Sequence, residues 1–348
     1  MFRVAYTLIL VLIFLGSCNN GDDESKLSLS NSETASQNYK STGEKVNYGN
    51  NITLLWDLSN RVDRKSSELD TTVIFYVFET LNELFQNSVE RNIYTDNFKI
   101  HSINELVLNN YINEGHPVQL HVGLERFNRE PKKISDYLHR NGDPNLKSDL
   151  QKLKTFTKGL FEYSKSNQLG ADLWHFFNEN LNQSIVDLRT DTFEYGNQKF
   201  QSKVKNKIIL LTDGYIEAGR YREDPTMRDP SNPNLRRYLS PNFIEEFREE
   251  FISSKMSSVD DFFSVSNYGI VPISDSLFKE VKILVIGFDD RTIKNGQSTV
   301  TPTDAKIIEI FWKDWFINSG LKESDFTFIN GYQNKMTIKQ QVVDFLKK

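Results

Sequence analysis

The sequence predicts an α/β protein with a doubly wound, mostly parallel central sheet and helices on both faces. Three observations predict it. Near-continuous apolar runs at residues 52–58, 207–212 and 281–288 read as strands buried on both faces. Amphipathic stripes separate these runs, as in residues 72–89, where apolar side chains recur at 73, 74, 77, 78, 81, 84 and 85. Residues 98–103 and 118–124 alternate like a strand pair and supply one antiparallel edge strand.

The remaining elements follow in order. Residues 150–163 and 171–181 read as helices. A helix over 242–252 follows Pro241, placed at its first turn. Thr303 caps a helix over 304–317, then come a strand at 326–329 and a closing helix at 338–346. Residues 215–280 are long for one crossover and read as an insertion. Within it, residues 221–237 are polar and hold three prolines, so they read as a loop. Its arginines, Arg220, Arg222, Arg228, Arg236 and Arg237, read as solvated, with recognition of an acidic partner as the alternative. Trp312 and Trp315, with Phe311 and Phe316, read as core, and His175 as a packed helix residue.

Composition bounds the chemistry. The chain has 348 residues and a net charge of −5, which gives no pull toward nucleic acid. One cysteine excludes intramolecular disulfides and multi-cysteine metal clusters. The five histidines make no HExxH pair, and there is no nucleophile elbow, Walker loop or glycine-rich dinucleotide turn.

The cysteine is Cys18, at the end of Met1 to Cys18, MFRVAYTLILVLIFLGSC. Arg3 precedes an apolar core too short to span a bilayer, and Leu15-Gly16-Ser17-Cys18 closes it. This resembles a bacterial lipoprotein signal with its lipobox. The resemblance implies cleavage after residue 17 and lipidation of Cys18, with several acyl chains as a stable membrane anchor. The mature chain would then have 348 − 17 = 331 residues and a net charge of 41 − 47 = −6. Residues 18–50 are polar and read as a disordered tether with a reach on the order of 30 Å. Its acidic start, Asp22-Asp23-Glu24, resembles a surface-export signal of some Gram-negative lipoproteins. The expected place is the cell envelope, on the outer membrane, with surface exposure as the further step that signal implies.

Carboxylates follow the buried strands: Asp57, Asp213, Asp289 and Asp290. Ligands bind such sheets beyond the carboxyl ends of the strands, and clustered hard oxygens suit Mg²⁺ or Ca²⁺. Leu54-Leu55-Trp56-Asp57-Leu58-Ser59 and Ile209-Leu210-Leu211-Thr212-Asp213-Gly214 resemble the first and last motifs of the von Willebrand factor type A domain, a Rossmann-like fold. The resemblance covers residues 51–348 and implies a metal-ion-dependent adhesion site. Asp57, Ser59 and Asp213 would hold a Mg²⁺ or other divalent cation, and Gly214 would line the turn. Arg61 replaces that family's second serine, and Ala171, in Gly170-Ala171-Asp172-Leu173, takes the place of its threonine. Asp172 is the substitute oxygen ligand. Arg61 is the alternative occupant, its guanidinium forked onto Asp57 or Asp213 in a metal-free site.

The resemblance implies a protein-binding module, anchored through Cys18, that catalyses nothing and contacts no nucleic acid. Two further classes stay open. One is a Mg²⁺-dependent phosphate-ester hydrolase with Asp57 as nucleophile and Asp213 as metal ligand. The other is a metal-free structural subunit of an envelope complex.

Overall fold

The computed structural model describes residues 45–58, 64–88, 94–140, 143–166, 171–195, 198–217, 228–294, 297–330 and 334–348. Residues 1–44, where the sequence predicts a signal peptide, the lipidated Cys18 and most of a tether, lie outside the described residues.

The chain opens with β1 (Lys45–Trp56) and α1 (Arg64–Gln86), then β2 (Asn97–Ser102), α2 (Glu105–Asn113), β3 (His121–Gly123), α3 (Pro131–His139) and α4 (Leu146–Ser164). A short α5 (Leu173–His175) runs into a wider-wound segment, Phe176–Asn180. Next come β4 (Asp191–Tyr195), β5 (Gln198–Leu211), β6 (Arg228–Asp229), β7 (Asn232–Arg236), α6 (Pro241–Ser254), α7 (Val259–Ser266) and β8 (Gly269–Ile270). The chain closes with β9 (Val281–Phe288), β10 (Ile293–Lys294), β11 (Gln297–Ser298), α8 (Asp304–Asn318), β12 (Phe326–Asn330) and α9 (Lys335–Lys347).

The central sheet runs β12-β9-β5-β1-β2-β3. Neighbours from β12 to β2 are parallel, and β3 is the antiparallel edge. This is the doubly wound, Rossmann- or von Willebrand factor A-like architecture read from the sequence. A second antiparallel strand was not foreseen. β4 pairs with residues 198–202 of β5, before β9 joins β5 at Asn206.

The central strands β1, β5 and β9 feed both faces. Leu55, Ile208, Leu210, Ile283 and Val285 enter one core, with α5, α6, α7 and α8. Leu54, Trp56, Ile209, Leu211, Leu284 and Ile286 enter the other, with α1, α3, α4 and α9. Alternate residues therefore face opposite cores, which makes the strands apolar throughout. Burial of each such side chain contributes about 1.5–3 kcal/mol. Among the described residues no helix is long and apolar enough to cross a membrane.

The structure corrects several expectations. Residues 45–50, predicted to be tether, belong to β1 and pair in parallel with 200–205 of β5. In that extension Val46 and Tyr48 stay exposed. Asn50, predicted to end the tether, is buried, its amide donating to Asp96 Oδ1 at 2.6 Å, and Asn51 beside it is buried too. Asn51 Nδ2 donates to the Ile185 carbonyl at 2.6 Å and to Asn206 Oδ1 at 2.7 Å. His175 is exposed and meets Glu179 at 3.2 Å, one turn on, while its apolar neighbours turn inward.

The insertion is largely folded. β6, β7 and β8 form a small sheet, and α6 and α7 pack their apolar faces into the first core. Arg236, read as solvated, is buried there. It donates to both oxygens of Glu246, at 2.7 and 2.8 Å, and lies 3.9 Å over the Phe243 ring. Arg237 stacks 4.4 Å over Trp174. Arg220 and Arg222 lie outside the described residues. Trp312 and Trp315 are fully buried, and Thr303 caps α8.

Candidate functional site

The sheet order places the site. From β1 the chain moves outward to β2 and β3, then returns to β5 on the opposite flank of β1. Connections reverse between β1 and β5, so their carboxyl ends flank the crevice where such sheets hold ligands. Asp57 and Asp213 follow those two ends.

Asp57 is wholly buried. Its amide donates to the Leu211 carbonyl at 2.9 Å and continues the ladder. Its Oδ2 accepts the Thr212 hydroxyl at 2.9 Å, and that hydroxyl oxygen accepts the Gly214 amide at 3.1 Å. Thr212 thus joins the first and last motifs of the resemblance. Leu58 is held from the other flank, its amide donating to Asn104 Oδ1 at 3.0 Å.

Asp213 is buried. Its carbonyl accepts the Asp289 amide at 2.9 Å, and Oδ1 accepts the Tyr215 amide at 3.1 Å. Oδ2 faces Arg291 Nη2 at 3.5 Å. The Arg291 guanidinium lies 4.0 Å over the Tyr215 ring, and its side chain is 39% exposed. Tyr215 donates its hydroxyl to Asp304 Oδ2 at 2.6 Å, and Asp304 Oδ1 receives the buried Arg248 guanidinium. Burial, then the Asp304 bond, pushes the Tyr215 hydroxyl far above its ordinary titration range. It therefore stays a donor, not a base.

Gly214 turns the chain with φ +89°. Its carbonyl accepts the Trp312 indole N–H at 2.8 Å. A Cβ here would sit 2.7 Å from Ile308 and from Phe288. Gly214→Ala is expected to cost about 2–4 kcal/mol, from a left-handed backbone and overpacking together. Urea unfolding of the variant checks this; an unchanged midpoint would show the turn to be slack.

The predicted ligands that are described, Asp57, Asp172 and Asp213, do not gather as a group of metal ligands. Asp57 and Asp213 are joined through Thr212. Asp172 instead caps α5, its Oδ1 accepting the His175 amide at 2.9 Å, and burial raises its carboxyl above the usual range. Ser59 and Arg61 lie outside the described residues. Asp290 is sealed by the Thr292 and Ala305 amides at 3.0 and 3.3 Å. Among the described residues no three His, Cys, Asp or Glu side chains come together as metal ligands would. Two carboxylates beside a permanent guanidinium are a poor donor set for a divalent ion, and the described residues do not fit one. Arg291 is the residue that sequence reasoning missed. The turn Asp289-Asp290-Arg291 was read for its acids, although its arginine leaves the same strand end. No family model matches the chain, and no curated protein matches it.

Proposed function

We propose that the chain is a lipid-anchored, extracytoplasmic binding module whose protein partner docks at the carboxyl edge of the sheet. The carrying observation is Arg291, half-exposed at the switch point and held between Asp213 and Tyr215. In this reading its guanidinium takes the role that a metal ion plays in adhesion-type domains of the resembled family. A partner's carboxylate would meet the open side of the fork. The lipobox-like ending at Cys18 supports the anchor and the envelope location. The hydrolase alternative is disfavoured because Asp57 is wholly buried and one oxygen already accepts Thr212.

The test uses the mature chain. Calorimetric titration with Mg²⁺ and Mn²⁺ is expected to give no binding heat, and phosphate esters no turnover. Envelope cross-linking is expected to yield a partner band with the wild type, none with Arg291→Glu, and a weakened one with Arg291→Lys. Metal binding, ester turnover or an unchanged band with Arg291→Glu would each overturn the reading.

A further inference from the structure

A second candidate site lies away from the sheet edge, between α1 and α4. A cleft of about 650 Å³ opens there, within the range of small-molecule sites. Trp56 and Phe161 stack at its base, ring centroids 5.5 Å apart and planes 5° from parallel. Ile74 and Phe78 add apolar wall. The space exists because threonines stand where larger side chains would fill it. Thr72 and Thr157 turn their hydroxyls back onto the Glu68 and Leu153 carbonyls, at 2.7 and 2.8 Å. Their hydrogen-bonding needs are met within the helices, so they make no polar demand on the cleft.

Of the four charged residues in the lining, three are lysines and one is Glu162. Lys154, Lys158 and Lys335 line the cleft, and among the described residues none of them forms an ion pair. Glu162, the acid beside them, is held by Lys165 at 2.9 Å. Lys154 rests 5.2 Å from the Phe75 ring centroid. Lys154 and Lys158 are one turn apart on α4, where like charges repel by a few tenths of a kcal/mol each. A shared anion relieves that repulsion, and an apolar body covers the aromatic base.

We propose that this cleft binds a small amphiphilic anion, its aromatic or aliphatic body on Trp56 and Phe161 and its carboxylate or sulfonate between the lysines. The inference stands independently of the role of Arg291.

The probe is 8-anilinonaphthalene-1-sulfonate, with its neutral relative N-phenyl-1-naphthylamine as control. The protein is the full mature chain carrying Cys18→Ser, which keeps detergent out of the assay. Saturable one-to-one fluorescence enhancement is expected. Lys154→Glu with Lys158→Glu should weaken the sulfonate about tenfold or more, since two charge-assisted contacts are lost. Thr72→Trp, which fills the cleft from its partly exposed side, should abolish binding of the sulfonate. The neutral probe should bind about tenfold more weakly and ignore the lysine changes. Circular dichroism confirms that the helices persist in each variant. Equal sulfonate affinity in the lysine variant, or no enhancement at all, overturns the site. Lysine-dependent pelleting with anionic vesicles, without competition by the sulfonate, overturns it in favour of a membrane-facing surface.

Discussion

Replacing Asp304 by alanine will destabilise the domain by about 3 kcal/mol, the low end of the cost of removing one partner from a buried ion pair, because Glu245 still meets Arg248. Arg248 is buried on α6, and its guanidinium meets Asp304 at the first turn of α8. The Pro302 carbonyl accepts from its Nε at 2.9 Å, and the part-exposed Glu245 accepts from Nη1, so part of the charge stays compensated. The Tyr215 hydroxyl would lose its acceptor in the same step. Urea unfolding should show the loss in full for Asp304→Ala and in part for Asp304→Asn, which keeps an acceptor. A double variant, Asp304→Ala with Arg248→Met, should recover much of it, because no buried charge is then left unpaired. A double variant as unstable as the sum of the singles would show that the pair is not coupled. Since Tyr215 carries the ring under Arg291, the single variant should also lower partner binding.

Trp312→Ala is the second large effect, roughly 3–5 kcal/mol from the cavity alone. Trp312 is fully buried in a cluster of rings, with centroids 5.3 Å from Trp315 and 5.4 Å from both Phe288 and Phe316. Its loss also strips the Gly214 carbonyl of its donor, worth about 1 kcal/mol or more when buried. Trp312→Phe keeps most of the volume and removes only the donor, so it separates the two contributions. A Trp312→Phe variant as unstable as Trp312→Ala would mean that the bond to Gly214, not the packing, dominates. These variants reach the candidate site from behind, through α8.

Much of the sheet was legible because burial on both faces leaves a simple trace. Val281-Lys-Ile-Leu-Val-Ile-Gly-Phe288 cannot be solvated on either side, and it forms β9 over the same residues. Thr303 and Pro241 mark helix starts by local chemistry, and both act there. The hidden elements were those whose stabilising contacts are distant. α2 buries only Val107, Leu108 and Tyr111, too few to stand out from a polar stretch. β7 reads as a proline-rich loop, yet its Leu235 and Arg236 pair with Gly269 and Ile270 more than thirty residues on.

The candidate site divides in the same way. Asp57, Asp213 and Gly214 were identifiable because each directly follows a recognisable strand, and a strand end has only one place to go. Asp172 was assigned by its neighbours in sequence, and the fold spends it on a helix cap. The resident cation beside Asp213 could not be read off the chain. Arg291 lies 78 residues from Asp213, and their meeting depends on β5 and β9 pairing in one register.

The sequence by itself determined the architecture, the strand ends that flank the crevice, and the lipobox-like ending at Cys18 that the anchoring proposal rests on. These are local signals, written in hydrophobic period, caps and short motifs. Only the tertiary structure decided which charges meet. It set Arg291 against Asp213 and Arg248 against Asp304, and it gathered three lysines around an apolar cleft. Electrostatic partnership depends on distance in space, and the folded register, not the order of residues, sets that distance.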